Sequence, residues 1–240
     1  MKILAFDGTA KAATVAVLND DRILGHYTID NGLTQSELLL PMAESLLKSL
    51  KLSYSDIDLF ATSVGPGSFT GVRIGVSLVK GLAFGKDIPC VGVSTLEALA
   101  ENLMPLKGIL VPCMDARRGQ VYTATFVSNG KELRRITEDR AIPLSLLADE
   151  LKEIKRKNIY LSGDGYEISK KTLLAEGVKL SPTPELLILE SAASVARVAK
   201  RLYEAGGDFS DRTLSPIYLR MPQAERERLE REAEKKKENS

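Results

Sequence analysis

The fold is decided by the stretch Gly65-Pro66-Gly67-Ser68-Phe69-Thr70-Gly71-Val72-Arg73-Ile74-Gly75. Before it comes an apolar segment, Ile57 to Val64, which is typical of a buried strand. After it, residues Thr70 to Phe84 show the apolar periodicity of a helix. A strand, a glycine-rich turn and a helix in this order often present backbone N–H groups to an anion.

The glycine turn (Gly65, Pro66, Gly67 and Ser68) fits neither standard phosphate-binding motif. A P-loop carries Gly-Lys-Ser/Thr after its glycines, and no lysine is present here. The dinucleotide motif places its third glycine three positions after the second, whereas Gly71 comes four positions after Gly67. Phosphate binding and a purely structural turn that redirects the chain therefore both remain open.

The helix that follows the turn is too apolar for an ordinary surface helix. Its apolar residues cover an arc of roughly 200°, whereas an apolar stripe of about 100° suffices for a helix packed on one core. Glycines at 71, 75 and 81 each cost about 1 kcal/mol in a helix interior, which favours close approach by another backbone. The helix is either enclosed by its own domain or packed between its own sheet and a second protein.

The preceding helix shows the same excess of apolar surface. Thr34-Gln35-Ser36-Glu37 predicts a capping box for a helix that runs to about Lys51, with a bend near Pro41. Contiguous apolar surface beyond a few hundred Å² is rarely left exposed on a monomer, so a partner should cover part of it. The candidate interface residues on the two helices are Leu39, Met42, Ala43, Leu46, Leu50, Gly71, Ile74, Gly75, Leu78 and Leu82.

The order of the predicted elements indicates an α/β fold. Three strands (Lys2–Asp7, Thr14–Leu18 and Arg22–Ile29) are joined by short turns, which predicts an antiparallel meander. Helix, strand, helix and strand (Ile88–Val93) follow, and Ser94-Thr95-Leu96-Glu97 starts a short helix that runs to about Leu103. The later two strands need crossover connections, so they should lie parallel to the first strand. Residues 1–104 are predicted to form this first lobe.

A second, smaller α/β lobe is predicted for residues 105–222. Apolar and turn patterns predict strands at 109–115, 121–127, 133–137 and 158–161 and helices at 144–154 and 191–203. Residues 223–240 are rich in Glu, Arg and Lys and are predicted to be a charged tail, either a solvated helix or disordered.

Composition and charge exclude several classes of protein. The 240 residues are 44% hydrophobic and carry a formal net charge of +1, so no strong field favours nucleic acid or an acidic membrane. The two cysteines, Cys90 and Cys113, lack metal-type spacing and suit a reducing compartment. No apolar run is long enough to span a membrane. A cytoplasmic protein is predicted.

Catalytic and metal-binding patterns are sparse. The one histidine is His26, in the third strand, so a metal site built on two histidines is excluded. No serine sits in a nucleophile-elbow motif, which argues against a Ser-His-Asp hydrolase. Asp7-Gly8-Thr9 follows the first strand and is either a remnant of nucleotide or Mg²⁺ coordination or a turn with a structural carboxylate.

Two further groups of charged residues have open roles. Asp115 with Arg117 and Arg118 could anchor a phosphate or a partner's carboxylate, or it could form an internal ion pair. Arg73 and Lys80 lie on the polar side of the second helix, where they are either solvated or at the rim of a partner contact.

Several motifs along the chain carry a resemblance to a known family. They are Ile3-Leu4-Ala5-Phe6-Asp7, Ser36-Glu37-Leu38-Leu39-Leu40-Pro41, the glycine turn with Phe69-Thr70-Gly71, Val93-Ser94-Thr95-Leu96-Glu97, Asp115-Ala116-Arg117-Arg118 with Tyr122, and Pro216-Ile217-Tyr218-Leu219-Arg220. Together they closely resemble the TsaB family of bacterial tRNA threonylcarbamoyladenosine biosynthesis proteins, also called YeaZ-like. The resemblance extends from Met1 to Ala224. It implies the actin/sugar-kinase/heat-shock ATPase superfold, with ribonuclease H-like topology and two lobes.

The resemblance also implies a role. TsaB-like proteins are non-catalytic paralogues of the TsaD-like subunit that they accompany, and with a TsaE-like ATPase they support threonylcarbamoylation of the adenosine next to the anticodon of tRNA. ATP and a metal ion are then expected on the partner subunits, no cofactor is expected on this chain, and tRNA is expected to be reached through the complex. TsaD-like enzymes carry His-x-x-x-His on the first of the two helices, where this chain has no histidine.

In the family, pairing runs through the two helices whose apolar arcs are too wide here. We expect Leu46→Arg or Gly75→Arg to abolish pairing while leaving a folded protein. Two alternatives stay open: a homodimer that uses the same helices, and a free-standing ATPase or sugar kinase of the same superfold, suggested by Asp7-Gly8-Thr9.

Overall fold

The structure, a computed structural model, describes residues 1–154 and 158–220. Within these residues the first sheet has the strand order β3-β2-β1-β4-β5. The first three strands are antiparallel, and β4 and β5 run parallel to β1, as predicted from the short turns and the crossover helices. Its strands are β1 (Lys2–Asp7), β2 (Ala13–Asn19), β3 (Arg22–Ile29), β4 (Leu59–Gly65) and β5 (Cys90–Ser94).

Helices cover both faces of this sheet. Helices α1 (Gln35–Leu50) and α2 (Phe69–Ala83) pack on one face, over Phe6 and Phe60. The opposite face is covered by α6 (Ala192–Glu204), whose alanine-rich side allows close packing on the strands. The predicted capping box of α1 is present: the Thr34 backbone N–H and hydroxyl both donate to the Glu37 carboxylate, at 2.9 Å and 2.7 Å.

The second sheet has the order β10-β7-β6-β8-β9, with β11 paired in parallel to β6. Helix α3 (Thr95–Leu103) packs on one face of it, and α4 (Leu144–Glu153) and α5 (Tyr166–Ala175) pack on the other. Two α/β lobes result, as the sequence predicted. The strands are β6 (Gly108–Asp115), β7 (Gln120–Thr123), β8 (Phe126–Ser128), β9 (Leu133–Arg135), β10 (Arg140–Pro143) and β11 (Ile159–Ser162).

The second lobe departs from the sequence prediction in three places. The strand predicted at 121–127 is two strands, because β7 pairs with one end of β6 and β8 pairs with the other. Strand β10 was missed because its four residues begin with Arg140 and end with Pro143, so they show no apolar alternation. Helix α5 was missed because its apolar residues are not confined to one face: Ile168 and Leu174 are exposed.

The lobes share a network of ion pairs. Arg135 of β9 lies 2.5 Å from Asp139 and 3.0 Å from Glu97 of α3. Arg201 of α6 lies 3.0 Å from Glu97 and 3.1 Å from the buried Glu101. Because α6 packs on the first sheet, Glu97 links the second sheet to the first lobe through two guanidinium groups.

The predicted division at residues 104 and 222 stays a prediction. Helix α6, which that division assigns to the second lobe, packs on the first sheet, because its small side chains allow a close approach to the strands. The predicted tail, 223–240, lies outside the described residues. In the described part of the chain, no helix is both long and apolar enough to cross a membrane.

Candidate functional site

The glycine turn packs directly on the loop that follows β1. The Ser68 N–H donates to the Thr9 carbonyl oxygen at 2.7 Å, and a Cβ at Gly67 would lie 2.6 Å from that same oxygen. On the other side, a Cβ at Gly65 (φ +115°) would lie 2.6 Å from the Ile217 carbonyl oxygen. Close approach by two backbone segments thus accounts for both glycines. This supports the structural role for the turn.

Asp7 is enclosed by the residues of its own turn. It is 1% exposed, and its Oδ1 accepts hydrogen bonds from the Thr9 N–H at 2.8 Å and the Thr9 hydroxyl at 2.6 Å. Its Oδ2 accepts from the Ser63 hydroxyl at 2.5 Å. Burial raises the pKa of Asp7 above its ordinary value, against these hydrogen bonds. This geometry supports the turn carboxylate; a role for Asp7, Gly8 and Thr9 in binding nucleotide stays a prediction.

A cavity of about 410 Å³ lies between the lobes, beside the glycine turn. It brings Gly67 and Ser68 of the first lobe together with the predicted cluster of Asp115, Arg117 and Arg118 from the second. The sequence prediction missed three further charged residues at this cavity, because each lies far from the others along the chain and outside any binding motif. They are Lys11, Asp164 and Arg220.

The predicted internal ion pair within this cluster is present. Arg117 Nη1 lies 3.3 Å from Asp115 Oδ2, and the Arg117 backbone N–H donates to Asp115 Oδ1 at 2.7 Å. The Arg117 side chain is 85% exposed, so the ion pair leaves most of the guanidinium accessible. The Asp115 N–H in turn donates to Asp164 Oδ1 at 2.8 Å, which ties the loop to the β11–α5 connection.

Glu190 is a buried acid that no sequence motif indicated. It is 3% exposed, and neither carboxyl oxygen has a hydrogen-bond partner among the residues that the structure describes. Burial raises the pKa of Glu190 well above its ordinary value, and the nearby carboxyls of Asp7 and Asp164 raise it further. The backbone N–H groups of Glu190 and Asp164 oppose this shift without forming a hydrogen bond to the carboxyl.

We therefore expect Glu190→Gln to stabilise the fold at pH 7. A folded-state pKa above the unfolded one means that the acid's stabilising contribution is full below the unfolded pKa and is lost as the pH rises through the folded pKa. The uncharged glutamine avoids that loss. Urea denaturation of both proteins at pH 7 and pH 4.5 should show a gain that shrinks at the lower pH. A gain that does not depend on pH would contradict the explanation.

Helices α1 and α2 bury most of the predicted interface residues in the chain's own core. This corrects the expectation that all ten face a partner, because a side chain enclosed by its own sheet cannot reach one. Leu46 is 1% exposed, and a Cβ at Gly75 would lie 2.7 Å from Thr62 Oγ1. Arginine at either position should disrupt the fold itself. The buried residues are Leu39, Met42, Ala43, Leu46, Gly71 and Gly75.

Four of the predicted interface residues remain partly exposed: Leu50 on α1, and Ile74, Leu78 and Leu82 on α2. They pack at the edge of the core and keep one side at the surface. We call this set the α1–α2 apolar stripe. The three residues on α2 are spaced by four, which places them along one side of the helix.

The two cations on α2 bind their own chain. Arg73 Nε donates to the Tyr218 hydroxyl at 2.7 Å, and Lys80 Nζ donates to the Leu214 carbonyl oxygen at 2.9 Å. The Tyr218 ring also stacks on Phe69, with 4.9 Å between centroids. Both cations thus hold the segment after α6 along α2. Arg73 is also exposed, and the predicted position at the rim of a partner contact stays a prediction.

His26 lies on β3, with its Nε2 3.2 Å from the Thr28 hydroxyl and 3.4 Å from the Thr14 hydroxyl. In the described ranges, 1–154 and 158–220, no three His, Cys, Asp or Glu side chains are arranged to hold a metal ion. The hydrogen-bond contacts of the His26 ring are therefore with two threonine hydroxyls.

Comparisons with known proteins converge on one family. A family model for TsaD, tRNA N6-adenosine threonylcarbamoyltransferase, matches residues 34–227. The tRNA threonylcarbamoyladenosine biosynthesis protein TsaB of Bacillus subtilis is 32% identical over 239 residues, covering 96% of this chain and 99% of the relative. The Escherichia coli protein of the same name is 29% identical, covering 92% and 95%.

A solved structure shows the same fold. An uncharacterised Pseudomonas aeruginosa protein with similarity to peptidase YeaZ superposes with a TM-score of 0.74 at 25% identity, covering 91% of this chain and 99% of that one. A second structure, YeaZ from Pseudomonas aeruginosa, gives a TM-score of 0.71 at 24% identity, covering 91% and 99%. The agreement spans both lobes.

Proposed function

Since the chain belongs to the TsaB family of tRNA threonylcarbamoyladenosine biosynthesis proteins, we propose that it acts as a non-catalytic subunit paired with a TsaD-like transferase. With a TsaE-like ATPase, the pair supports threonylcarbamoylation of the adenosine next to the anticodon of tRNA. ATP and the metal ion belong to the partner subunits in this proposal, and the present chain supplies the surface that supports the transferase.

The α1–α2 apolar stripe is the observation that carries this proposal. After the core has formed, Leu50, Ile74, Leu78 and Leu82 still keep apolar surface at the outside of two neighbouring helices. Removing such surface from water is favourable at about 25 cal/mol per Å². The enclosed Asp7, in contrast, gives no support to a free-standing ATPase or sugar kinase, since its oxygens already accept hydrogen bonds from Thr9 and Ser63.

Reconstitution tests the proposal directly. A TsaD-like subunit with His-x-x-x-His and a TsaE-like ATPase are incubated with unmodified tRNA, ATP and the threonylcarbamoyl donor, with and without this chain. We expect modified adenosine, measured by mass spectrometry of digested tRNA, to depend on the chain. Equal modification without it would overturn the proposal, as would transferase activity of the isolated chain.

Leu78→Arg tests the surface. We expect it to weaken pairing with the TsaD-like subunit by at least about 100-fold, because a charge is placed where apolar side chains must pack, while the fold is kept since Leu78 is partly exposed. The matched control is Ser77→Arg, an exposed position one residue away on another side of α2. Calorimetric titration gives both affinities, and a thermal melt checks the fold.

Equal loss of pairing in the two variants would count against the stripe as the interface. A parent chain that forms stable dimers by light scattering and does not bind the TsaD-like subunit would instead favour the homodimer as the occupant of this surface.

A further inference from the structure

The loop between β6 and β7 holds two consecutive arginines in a strained backbone conformation. Arg117 has φ +64° and Arg118 has φ +56°, and Gly119 continues the left-handed run at φ +71°. Side chains with a Cβ are disfavoured in this region, and a run of two is unusual. Glycine would fit both positions without strain, so arginine is kept there at a cost in stability.

The other described residues with a Cβ and positive φ have local explanations. Asp20 and Asp87 are of a residue type that tolerates the left-handed region, because its short polar side chain can hydrogen-bond nearby. Lys51 is the residue that ends α1, where a left-handed residue is common. The tight β6–β7 hairpin accounts for the left-handed backbone of the arginine pair, but Gly, Asn or Asp would be the preferred residues there. The arginine side chains therefore need a separate explanation.

The surrounding structure fixes the loop so that these side chains point outward. The Arg117 backbone N–H donates to Asp115 Oδ1 at 2.7 Å, and the Gln120 N–H donates back to the Arg117 carbonyl oxygen at 3.2 Å. Arg118 is exposed, and no hydrogen bond or ion pair joins its guanidinium to the described part of the chain. Two guanidinium groups therefore stand at the mouth of the interlobe cavity, one of them loosely paired and one unpaired.

Positive charge is concentrated at this mouth although the whole chain carries only +1. Lys11 and Arg220 line the same cavity, and Arg220 is held by a hydrogen bond from its Nη1 to the Ala116 carbonyl oxygen at 2.8 Å. The two carboxylates there, Asp115 and Asp164, accept backbone N–H groups that hold the loop and its neighbour in place. The cations thus outnumber the acids at the cavity, and the acids have a structural role.

We propose that Arg117 and Arg118, with Lys11 beside them, contact backbone phosphates of the tRNA that is modified. Guanidinium groups bind phosphate oxygens through paired N–H donors, and such contacts need side chains that project from the surface. Exposure of both arginines fits the phosphates of a large external ligand better than a small one enclosed in the cavity. The inference rests on the proposed function only for the identity of the RNA.

The test measures tRNA binding by the reconstituted complex of this chain with its TsaD-like subunit. Arg117→Gln/Arg118→Gln is compared with Arg22→Gln/Arg134→Gln, which removes two exposed arginines elsewhere. Fluorescence anisotropy with labelled tRNA over a salt series should show roughly tenfold or greater weakening for the loop variant alone. Its slope of log K against log salt should fall in magnitude by about 0.7 to 0.9 for each phosphate that the arginines no longer neutralise.

The variant Arg117→Gly/Arg118→Gly distinguishes a role of the arginine side chains in tRNA binding from a role in stabilising the fold. Glycine removes the charges and suits the left-handed backbone, so the denaturation midpoint should be no lower than that of the parent while tRNA binding weakens as in the glutamine variant. A midpoint clearly below the parent's would mean that the arginines serve the fold, and the proposal would fail.

Three other results would overturn it. The first is unchanged tRNA affinity and salt slope in the loop variants. The second is unchanged tRNA affinity with abolished binding of ATP or pyrophosphate, which would assign the arginines to a small phosphate ester. The third is loss of pairing with the TsaD-like subunit, measured by co-purification, which would assign the loop to assembly. Intact pairing with weakened tRNA binding supports the proposal and leaves the proposed function to its own test.

Discussion

Gly71→Ala is expected to lower the free energy of unfolding by about 3 kcal/mol or more. A Cβ at Gly71 would lie 1.9 Å from the Gly8 carbonyl oxygen and 3.0 Å from the Gly8 carbonyl carbon. Both are backbone atoms of the loop after β1, so no side-chain rotation can relieve the overlap, and α2 must move away from that loop. Urea denaturation followed by circular dichroism measures the change.

Gly81 on the same helix provides the control. A Cβ there would have no atom within 4 Å, and Gly81 is exposed. Gly81→Ala should therefore stabilise the protein by up to about 1 kcal/mol, the ordinary gain of alanine over glycine in a helix. If the two substitutions changed the free energy of unfolding similarly, helix propensity, and not contact with Gly8, would determine the effect of replacing Gly71.

Leu46→Arg is expected to cost about 4 kcal/mol or more and to leave much of the protein unfolded. Leu46 is 1% exposed and lies against Gly25 of β3: a Cβ at Gly25 would be 2.6 Å from Leu46 Cδ1. An arginine there would place a charge between α1 and the sheet without an acidic partner. The loss of stability should appear in the isolated chain, before any pairing is measured.

Ser45→Arg is the matched substitution, because Ser45 is the neighbouring residue on α1 and is exposed. It should change the free energy of unfolding by no more than about 0.5 kcal/mol. If Leu46→Arg melted at the same temperature as Ser45→Arg, the assignment of Leu46 to the core would be wrong. Leu46→Arg could then be used to test pairing with the TsaD-like subunit.

Features that depend on neighbouring residues could be predicted from the sequence. Thr34 and Glu37 form the predicted capping box, and Ser94 caps α3 by accepting the Glu97 N–H at 3.2 Å, because both contacts join residues three apart. The meander and the parallel strands followed from turn lengths and crossovers, which restrict topology strongly. The glycine turn also lies where predicted, at the end of β4.

The candidate site could be predicted only in part. Asp115, Arg117 and Arg118 are close together in the sequence, so the ion pair between Asp115 and Arg117 could be predicted. Lys11 and Arg220 reach the same cavity from opposite ends of the chain, and no local pattern connects them. Glu190 is buried because of what folds over it, which its sequence neighbours do not reveal.

The sequence by itself determined that α1 and α2 carry wide apolar arcs, since periodicity places residues around a helix axis. Only the tertiary structure decided which part of each arc is covered: Leu46 fits against Gly25 of β3, whereas Leu78 stays at the edge of the core. Likewise, the glycines of α2 predicted that another backbone segment packs closely against this helix. The tertiary structure shows that, at Gly71, this segment is the chain's own loop at Gly8. The physical reason is that burial depends on the distance to segments far along the chain, whereas helical phase depends on the chain's local repeat.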